Sequence, residues 1–377
     1  VGMEELLLKE IMNQGITLAS TARGGVHFET ANDEWQDVII WSRIASRVYR
    51  KLFQIKVSDE KEFYDKIKLM PWHKFLQQNQ TFSFKSIFSH SKKRQVYFRN
   101  SHYTSLLAKD ALVDKYREET NRRPNVSIDN PDFNFLLHFS PEKEKDKVTI
   151  LLDLCGTPLS HRGYRNDTFE APLRENLAAA LILMTGWNPE NEILVDGMCG
   201  SGTFLLEASM IAANIPPSIL RFTERIYPWA FLGHGLFLSF NEKRNWEYRS
   251  QIIQKEFVPR VKSLKEKNLL YGCDLSFDAI EMTKRYFKNL YGNKYSPFLT
   301  CKNFLSYEMP EGKGVIVINP PYGERLDSDE FNKFHEDILN KAKNSADKKA
   351  YLLMPTESPL QIKSFKKIPV KNGNISV

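Results

Sequence analysis

The 377-residue sequence predicts an α/β protein: a mostly parallel sheet in its C-terminal half, preceded by an α+β module with basic edges. Three observations carry this expectation. Beyond Ala171, short and wholly apolar strands alternate with long helical runs, as in a parallel sheet covered on both faces. Asp196, Asp274, Asn303 and Asn319 all fall just past strand ends, where open α/β sheets bind their ligands. Positive charge is also concentrated, with 19 Lys/Arg against 8 Asp/Glu from Arg43 to Asn125 in a chain of net charge +7.

The length suggests two or three domains. Hydrophobic content of 42% and charged content of 26% are those of a globular protein. No apolar run approaches the roughly 18 residues of a membrane span, and no signal-peptide pattern opens the sequence, so a cytoplasmic protein without membrane attachment is expected. Cys155, Cys199, Cys273 and Cys301 are far apart, and no histidine stands at metal-ligand spacing. Neither a metal site nor a disulfide is expected. The basic segment is the footprint of a polyanion partner, most often nucleic acid. Ordinary solvated helix faces are the bland alternative.

Taken in order, Met3 to Ile11 suits one helical face, Gly24 to Glu29 reads as turn and strand, and Trp35 to Tyr49 carries a buried stripe at helical spacing. Phe53 to Val57 and Thr81 to Phe84 read as strands, with helices predicted over Glu60 to Lys68 and Tyr103 to Glu119. The loop holding Lys92, Lys93 and Arg94 and the pair Arg122 and Arg123 are candidate nucleic-acid contacts, which the resemblance described below makes RNA contacts. Phe133 to Phe139 and Val148 to Leu154 are expected to form a hairpin. The polar stretch Leu159 to Arg165 reads as a linker; Arg162 and Arg165 either touch the substrate or belong to a plain connection. Glu175 to Thr185 is a helix closed by Gly186. Ile193 to Val195 is a strand leading into a glycine loop, and Phe204 to Ala213 is the next helix. A strand ends at Asp274, a helix runs from Ser276 to Tyr291, and further strands cover Phe298 to Cys301, Val315 to Ile318 and Ala350 to Met354.

The glycine loop reads Asp196-Gly197-Met198-Cys199-Gly200-Ser201-Gly202. Glycines let a backbone approach a ligand, and the following helix N-terminus favours negative charge. It is neither a Walker A loop nor G-x-G-x-x-G, so a nucleotide-like cofactor and a plain tight turn both stay open. Asp274 could accept hydrogen bonds from two ribose hydroxyls, or act in a helix N-cap. The interval between loop and acid implies an insertion over about 214–265, whose Trp229, Phe231, Phe237 and Trp246 need burial. Asn319-Pro320-Pro321-Tyr322 is the most specific stretch. Accepting both N–H groups of an exocyclic amine on the Asn319 side-chain oxygen and the Pro320 carbonyl would turn the nitrogen lone pair toward an electrophilic methyl group, while Tyr322 stacks on the base. By itself this motif leaves adenine, cytosine and guanine open.

Asn319 to Leu326 together with the Asp196 loop resembles the class I S-adenosyl-L-methionine-dependent methyltransferases, and more narrowly the bacterial THUMP-domain 23S rRNA guanine-N2 methyltransferases. Lys109 to Asp114, Arg123-Pro124, Leu152 to Gly156 and His161 to Arg165 resemble the same family's THUMP region and linker. The resemblance implies a ferredoxin-like plus THUMP region over 1–155 (THUMP about 43–155), a linker over 156–170 and a Rossmann-like methyltransferase domain over 171–377. It also implies S-adenosyl-L-methionine as cofactor, with Asp196, Gly197, Gly200 and Gly202 at its methionine part, Asp274 at the ribose, and Phe169 and Pro172 in a capping segment. Asn319, Pro320, Pro321 and Tyr322 would be the catalytic tetrad, and 23S rRNA or a ribosomal precursor the partner. At the adenine-binding strand end the family usually has Asp; Asn303 keeps an acceptor oxygen and loses the charge. Larger members carry a second methyltransferase domain; the sequence ends at Val377, so one activity is expected, and Lys371 to Val377 resembles the start of a hairpin. The C-terminal motif alone would also fit adenine-N6 methylases, tRNA guanine methylation is a further alternative, and a non-catalytic RNA-binding assembly factor is the alternative of another class.

Overall fold

A computed structural model describes residues 2–89, 97–165, 173–224, 228–234, 239–320, 328–345, 347–354, 371–372 and 375–376. Lys92, Lys93, Arg94, Phe169, Pro172, Phe237, Pro321 and Tyr322 lie outside them. By compactness the chain divides into two units, one of residues 1–46, 159–226 and 248–377, the other of residues 47–158 and 227–247. The first 46 residues thus group by compactness with the C-terminal α/β half.

The first unit opens with α1 (Glu4–Met12), a small antiparallel pair of β1 (Ala19–Ala22) and β2 (Gly25–Phe28), and α2 (Trp35–Trp41). The helix predicted to reach Tyr49 stops at Trp41. Glu10 is the cause: its carboxylate accepts the Arg43 amide at 2.7 Å and the Ser42 hydroxyl at 2.6 Å, taking the donor the next helical turn would need, and Ser42 turns extended. The stripe residues Ile44, Ala45 and Val48 are buried all the same.

The second unit is built on β3 (Tyr49–Val57), α3 (Glu60–Lys68), β4 (Thr81–Phe88), α4 (Ser101–Thr120), β5 (Asn125–Val126), β6 (Phe133–Glu142) and β7 (Lys145–Asp153). Its sheet runs β3-β7-β6-β4-β5, with β6 and β7 antiparallel, as the hairpin expectation required, and β4 parallel to β6. Phe133, Phe135, Leu137 and Phe139 alternate inward along β6, the period-two pattern of a half-buried strand. They pack with Phe63, Ile67, Trp72, Phe82 and Leu112. At about 25 cal/mol per Å² of apolar surface, each buried aromatic side chain contributes roughly 2–3 kcal/mol toward this core.

In the first unit the chain continues with α5 (Glu175–Thr185), β8 (Ile193–Asp196), α6 (Thr203–Ala212) and α7 (Ile219–Thr223). The insertion, which already includes α7, continues with α8 (Ala230–Gly233) and the long α9 (Phe240–Lys267). Trp229, Phe231 and Trp246 are buried together in the second unit, with Trp229–Trp246 and Phe231–Trp246 ring centroids 5.3 and 4.7 Å apart. The Phe231 amide donates to the Leu154 carbonyl there. Back in the first unit come β9 (Leu270–Asp274), α10 (Phe277–Tyr291), β10 (Phe298–Cys301), β11 (Gly314–Ile318), α11 (Ser328–Lys343) and β12 (Lys348–Leu352). Lys371–Asn372 pairs antiparallel with Ile375–Ser376. The five-stranded sheet runs β10-β9-β8-β11-β12, parallel throughout. All five residues of β11 are buried, as expected of a strand covered on both faces. No helix among the described residues is long and apolar enough to cross a membrane.

Candidate active site at the strand ends

The strand order fixes the site. Because β10, β9, β8 and β11 are consecutive neighbours, the residues at their carboxyl ends stand in a row: Asn303 just after β10, Asp274 closing β9, Asp196 closing β8 and Asn319 just after β11. Neighbouring strands lie ~4.8 Å apart, so the row spans ~14 Å. In register Asp196 stands opposite Val317, two residues before Asn319. Pro320 is buried beside it.

The glycine loop is tied down on every side. Its Gly197 amide donates to the Val317 carbonyl at 3.0 Å, and the Cys199 amide to the Cys273 carbonyl at 3.0 Å. The Gly200 amide donates to Asp274 Oδ2 at 2.8 Å, while Thr283 Oγ1 on α10 donates to the Gly200 carbonyl at 2.8 Å. Three glycines are required by geometry: at Gly197 a side chain would meet the Phe304 ring at 2.7 Å. Gly202 has φ +73° and a side chain there would meet Thr283 at 2.5 Å; Gly200 has φ +50°, but a side chain there would stand in open space. The loop therefore packs hard against the fold at Gly197 and Gly202 and leaves open space beside Gly200, where a ligand can approach the backbone closely.

Asp196 is the least satisfied group in the site. It is 1% exposed, and neither carboxylate oxygen has a hydrogen-bond partner. The nearby Met198 amide favours the charged form but lacks the geometry of a hydrogen bond. Burial, reinforced by the Asp274 charge, pushes the Asp196 carboxyl up to about 8. Such a buried carboxylate calls for a ligand that brings N–H donors or positive charge. Burial, with the two acids, likewise holds the Cys199 thiol well above its ordinary range.

Asp274 is half-buried and uses both oxygens on backbone amides: Gly200 as above, and Ser276 at 2.9 Å on Oδ1. The helix cap itself is Ser276, whose hydroxyl accepts the Ala279 amide. Each Asp274 oxygen keeps a further lone pair for a hydroxyl. Asn303 is exposed, and its Oδ1 accepts the Leu305 amide at 2.9 Å, capping a short 3-10 turn. One lone pair of the expected acceptor is thus engaged; a second remains on Oδ1, and Nδ2 adds a donor.

Two apolar side chains escaped the sequence reading. Leu275 and Phe277, flanking Ser276, are 73% and 64% exposed. Apolar surface left in water beside an acid at a strand end suits a planar ring that would cover it. The signal was present in the run Asp274-Leu-Ser-Phe277.

Among the expected RNA contacts, Arg122 and Arg123 are exposed, and Arg122 hydrogen-bonds to Gln78 Oε1. Arg162 requires correction. It is 1% exposed and pairs with Glu207 at 3.1 Å, while donating to the Leu159 and Arg43 carbonyls at 2.6 and 2.7 Å. The buried Glu207 on α6 needs that cation, so Arg162 is a core residue unavailable to RNA. Arg165 is mostly buried as well, paired with Glu175 at 3.0 Å. Within the basic segment Arg43 is buried in the first unit and Arg47 pairs with Asp153, so the charge count overstates what faces a polyanion. Among the described residues no group of His, Cys, Asp and Glu has metal-holding geometry.

Comparison with known proteins adds identity to this geometry. Residues 162–377 match the RMKL-like methyltransferase domain, residues 57–153 the THUMP domain, and residues 1–49 the RlmL ferredoxin-like domain. The chain is 36% identical over 329 residues to the ribosomal RNA large subunit methyltransferase K/L of Psychromonas ingrahamii, covering 87% of this chain and 41% of that protein. Against the protein of the same name from Buchnera aphidicola subsp. Acyrthosiphon pisum, identity is 32%, with 87% and 44% covered. The chain thus spans less than half the length of these relatives. Among solved structures, a "predicted N6-adenine-specific DNA methylase" from Listeria monocytogenes is 26% identical with a TM-score of 0.75, over 94% of this chain and 87% of that one. SMU.472, "a putative methyltransferase complexed with SAH", is 23% identical with a TM-score of 0.78, over 100% and 94%, a likeness of fold.

Proposed function

Because the chain belongs to the RMKL-like methyltransferase family, with a THUMP domain ahead of its methyltransferase domain, we propose that it methylates the exocyclic N2 of a guanine in 23S rRNA, using S-adenosyl-L-methionine. The observation that carries this reading is the row Asn303–Asp274–Asp196–Asn319. It matches an elongated ligand with a base at one end and an amino acid at the other, ending beside an amine-gripping carboxamide.

The residues present fit that cofactor. Asp196, with two unsatisfied buried oxygens, would receive the cationic amino-acid end across the open backbone at Gly200. Asp274 would accept from the ribose hydroxyls, and Leu275 and Asn303 would meet the adenine. Bound there, the cofactor supplies an electrophilic methyl group. Asn319 and the Pro320 carbonyl would accept the two N–H groups of the target amine and so orient its lone pair; the contribution is orientation and electrostatics, with no covalent nucleophile. The base would have to leave its stack to reach the pocket. The basic second unit would dock structured RNA, with Arg122 and Arg123 among the contacts. Lys92, Lys93 and Arg94 belong to the same proposal, as do Phe169 and Pro172 over the cofactor and Tyr322 against the base.

Adenine-N6 methylation is the second reading, favoured by the name of the Listeria neighbour and by a motif that suits either base. The chain is to be incubated with S-adenosyl-L-methionine and unmodified 23S rRNA, tRNA or DNA, followed by nucleoside mass analysis. N2-methylguanosine in the rRNA arm is expected. N6-methyladenosine, or methylation confined to tRNA or DNA, would replace the reading, and cofactor-independent RNA binding without transfer would favour an assembly factor.

A further inference from the structure

Helix α6, which continues the glycine loop, is gripped by three arginines from outside its own strand-helix unit. Arg43 donates to the Met210 and Ile215 carbonyls at 3.2 and 2.8 Å, covering acceptors at the helix's C-terminal end. Arg162 holds Glu207 one turn in from the loop. At the loop end, Arg165 donates to the Thr203 hydroxyl and to the Leu173 carbonyl at 3.2 Å, and pairs with Glu175 on α5.

The first two contacts follow from ordinary helix physics. A cation at a helix C-terminus is favourable, and a buried glutamate in a helix apolar all round needs a partner. The third is different, because Arg165 stands at the first turn of α6, where the helix presents its positive end, and its charge is balanced from another element, by Glu175 in the first turn of α5. Both side chains are mostly buried, at 14% and 11% exposed. Arg165 Nε is buried with no hydrogen-bond partner. The arrangement ties the residue after Gly202 to α5.

We propose that Arg165 is a positioning residue for cofactor binding: by bridging Thr203 and Glu175 it fixes the α6 end of the glycine loop, and so the part of the site that receives the amino-acid end of the cofactor. This rests on the methyltransferase reading above. It acts through the loop and touches no reacting atom.

The test compares wild type with Arg165→Gln and Arg165→Lys by calorimetric binding of S-adenosylhomocysteine and of methylthioadenosine, which lacks the amino-acid end, and by amide exchange over residues 200–206. For Arg165→Gln, S-adenosylhomocysteine binding falls about tenfold, the scale of one charge-assisted hydrogen bond, while methylthioadenosine binding stays within about twofold. Exchange over the loop quickens, and Arg165→Lys, which keeps one charged donor, recovers part of both losses. Equal losses for the two ligands, unchanged S-adenosylhomocysteine binding, or unchanged loop exchange would each overturn the proposal. Failure of the wild type to bind either ligand would overturn the methyltransferase reading instead, and loop exchange would still decide whether Arg165 positions the loop.

Discussion

Asp196→Asn is expected to make the unliganded protein more stable while weakening its hold on the cofactor. The carboxylate is buried with both oxygens unpartnered, and burial, with Asp274 nearby, raises it from 3.8 to about 8. Between about pH 4 and pH 8 the folded protein therefore keeps a proton that the unfolded chain has released. The stability linked to this group is fully present below about pH 4 and is lost as the pH rises through about 8. At ~1.4 kcal/mol per pKa unit the ceiling is roughly 6 kcal/mol. Water entry and relaxation reduce it, and a buried Asn amide also lacks partners, so a gain of about 1–3 kcal/mol near pH 8 is expected. Urea unfolding of wild type and variant near pH 5 and near pH 8 reads this directly: the variant's advantage should appear at the higher pH and shrink at the lower. An advantage independent of pH, or a variant less stable near pH 8, would refute the claim that an unsatisfied charge sits there. Stability spent on an unsatisfied group at a binding site is the usual trade between stability and function.

Other consequences are as direct. Gly202→Ala combines a left-handed φ of +73° with a contact at 2.5 Å to Thr283, and should lower unfolding free energy by about 2–4 kcal/mol in denaturant titration. Arg162→Met leaves Glu207 buried without its cation, at a cost of roughly 3–5 kcal/mol, whereas Arg162→Met with Glu207→Leu should recover most of it; failure of the pair to recover would mean that Arg162 does more than neutralise Glu207. RNA affinity, measured by filter binding across a salt series, should fall steeply with salt, and Arg122→Ala with Arg123→Ala should reduce the slope by about 1–2. A salt-insensitive interaction would contradict a phosphate-dominated interface.

The sequence made local structure legible where one periodicity dominated. Helix Glu60–Lys68 and helix Glu175–Thr185 have the predicted bounds, and the antiparallel pairing of Phe133–Glu142 with Lys145–Asp153 was visible in alternating Phe and Leu. The row of strand-end residues was also readable, because wholly apolar strands stop abruptly at Asp196, Asp274 and Asn319. What escaped depended on partners distant in sequence. Nothing local says that Glu10 intercepts the Arg43 amide and ends a helix. For Arg162 and Arg165 the sequence left substrate contact and a plain connection both open, because a polar, glycine-containing stretch does not show whether its charges are buried. The countersign was Glu207, a lone charge inside Thr203-Phe-Leu-Leu-Glu-Ala-Ser-Met-Ile-Ala212, which could be buried only if a cation came from elsewhere. Asn303 was read for its oxygen; that the same oxygen also caps the turn after β10 was not visible in the sequence.

The central claim, that Asn319 orients an rRNA amine beside a cofactor held at Asp196 and Asp274, is tested most directly by single-turnover methyl transfer to 23S rRNA by wild type and Asn319→Ala. Losing one preorganised polar contact should slow transfer by about a hundredfold or more, with S-adenosylhomocysteine affinity unchanged. Transfer by the variant at the wild-type rate would contradict the account.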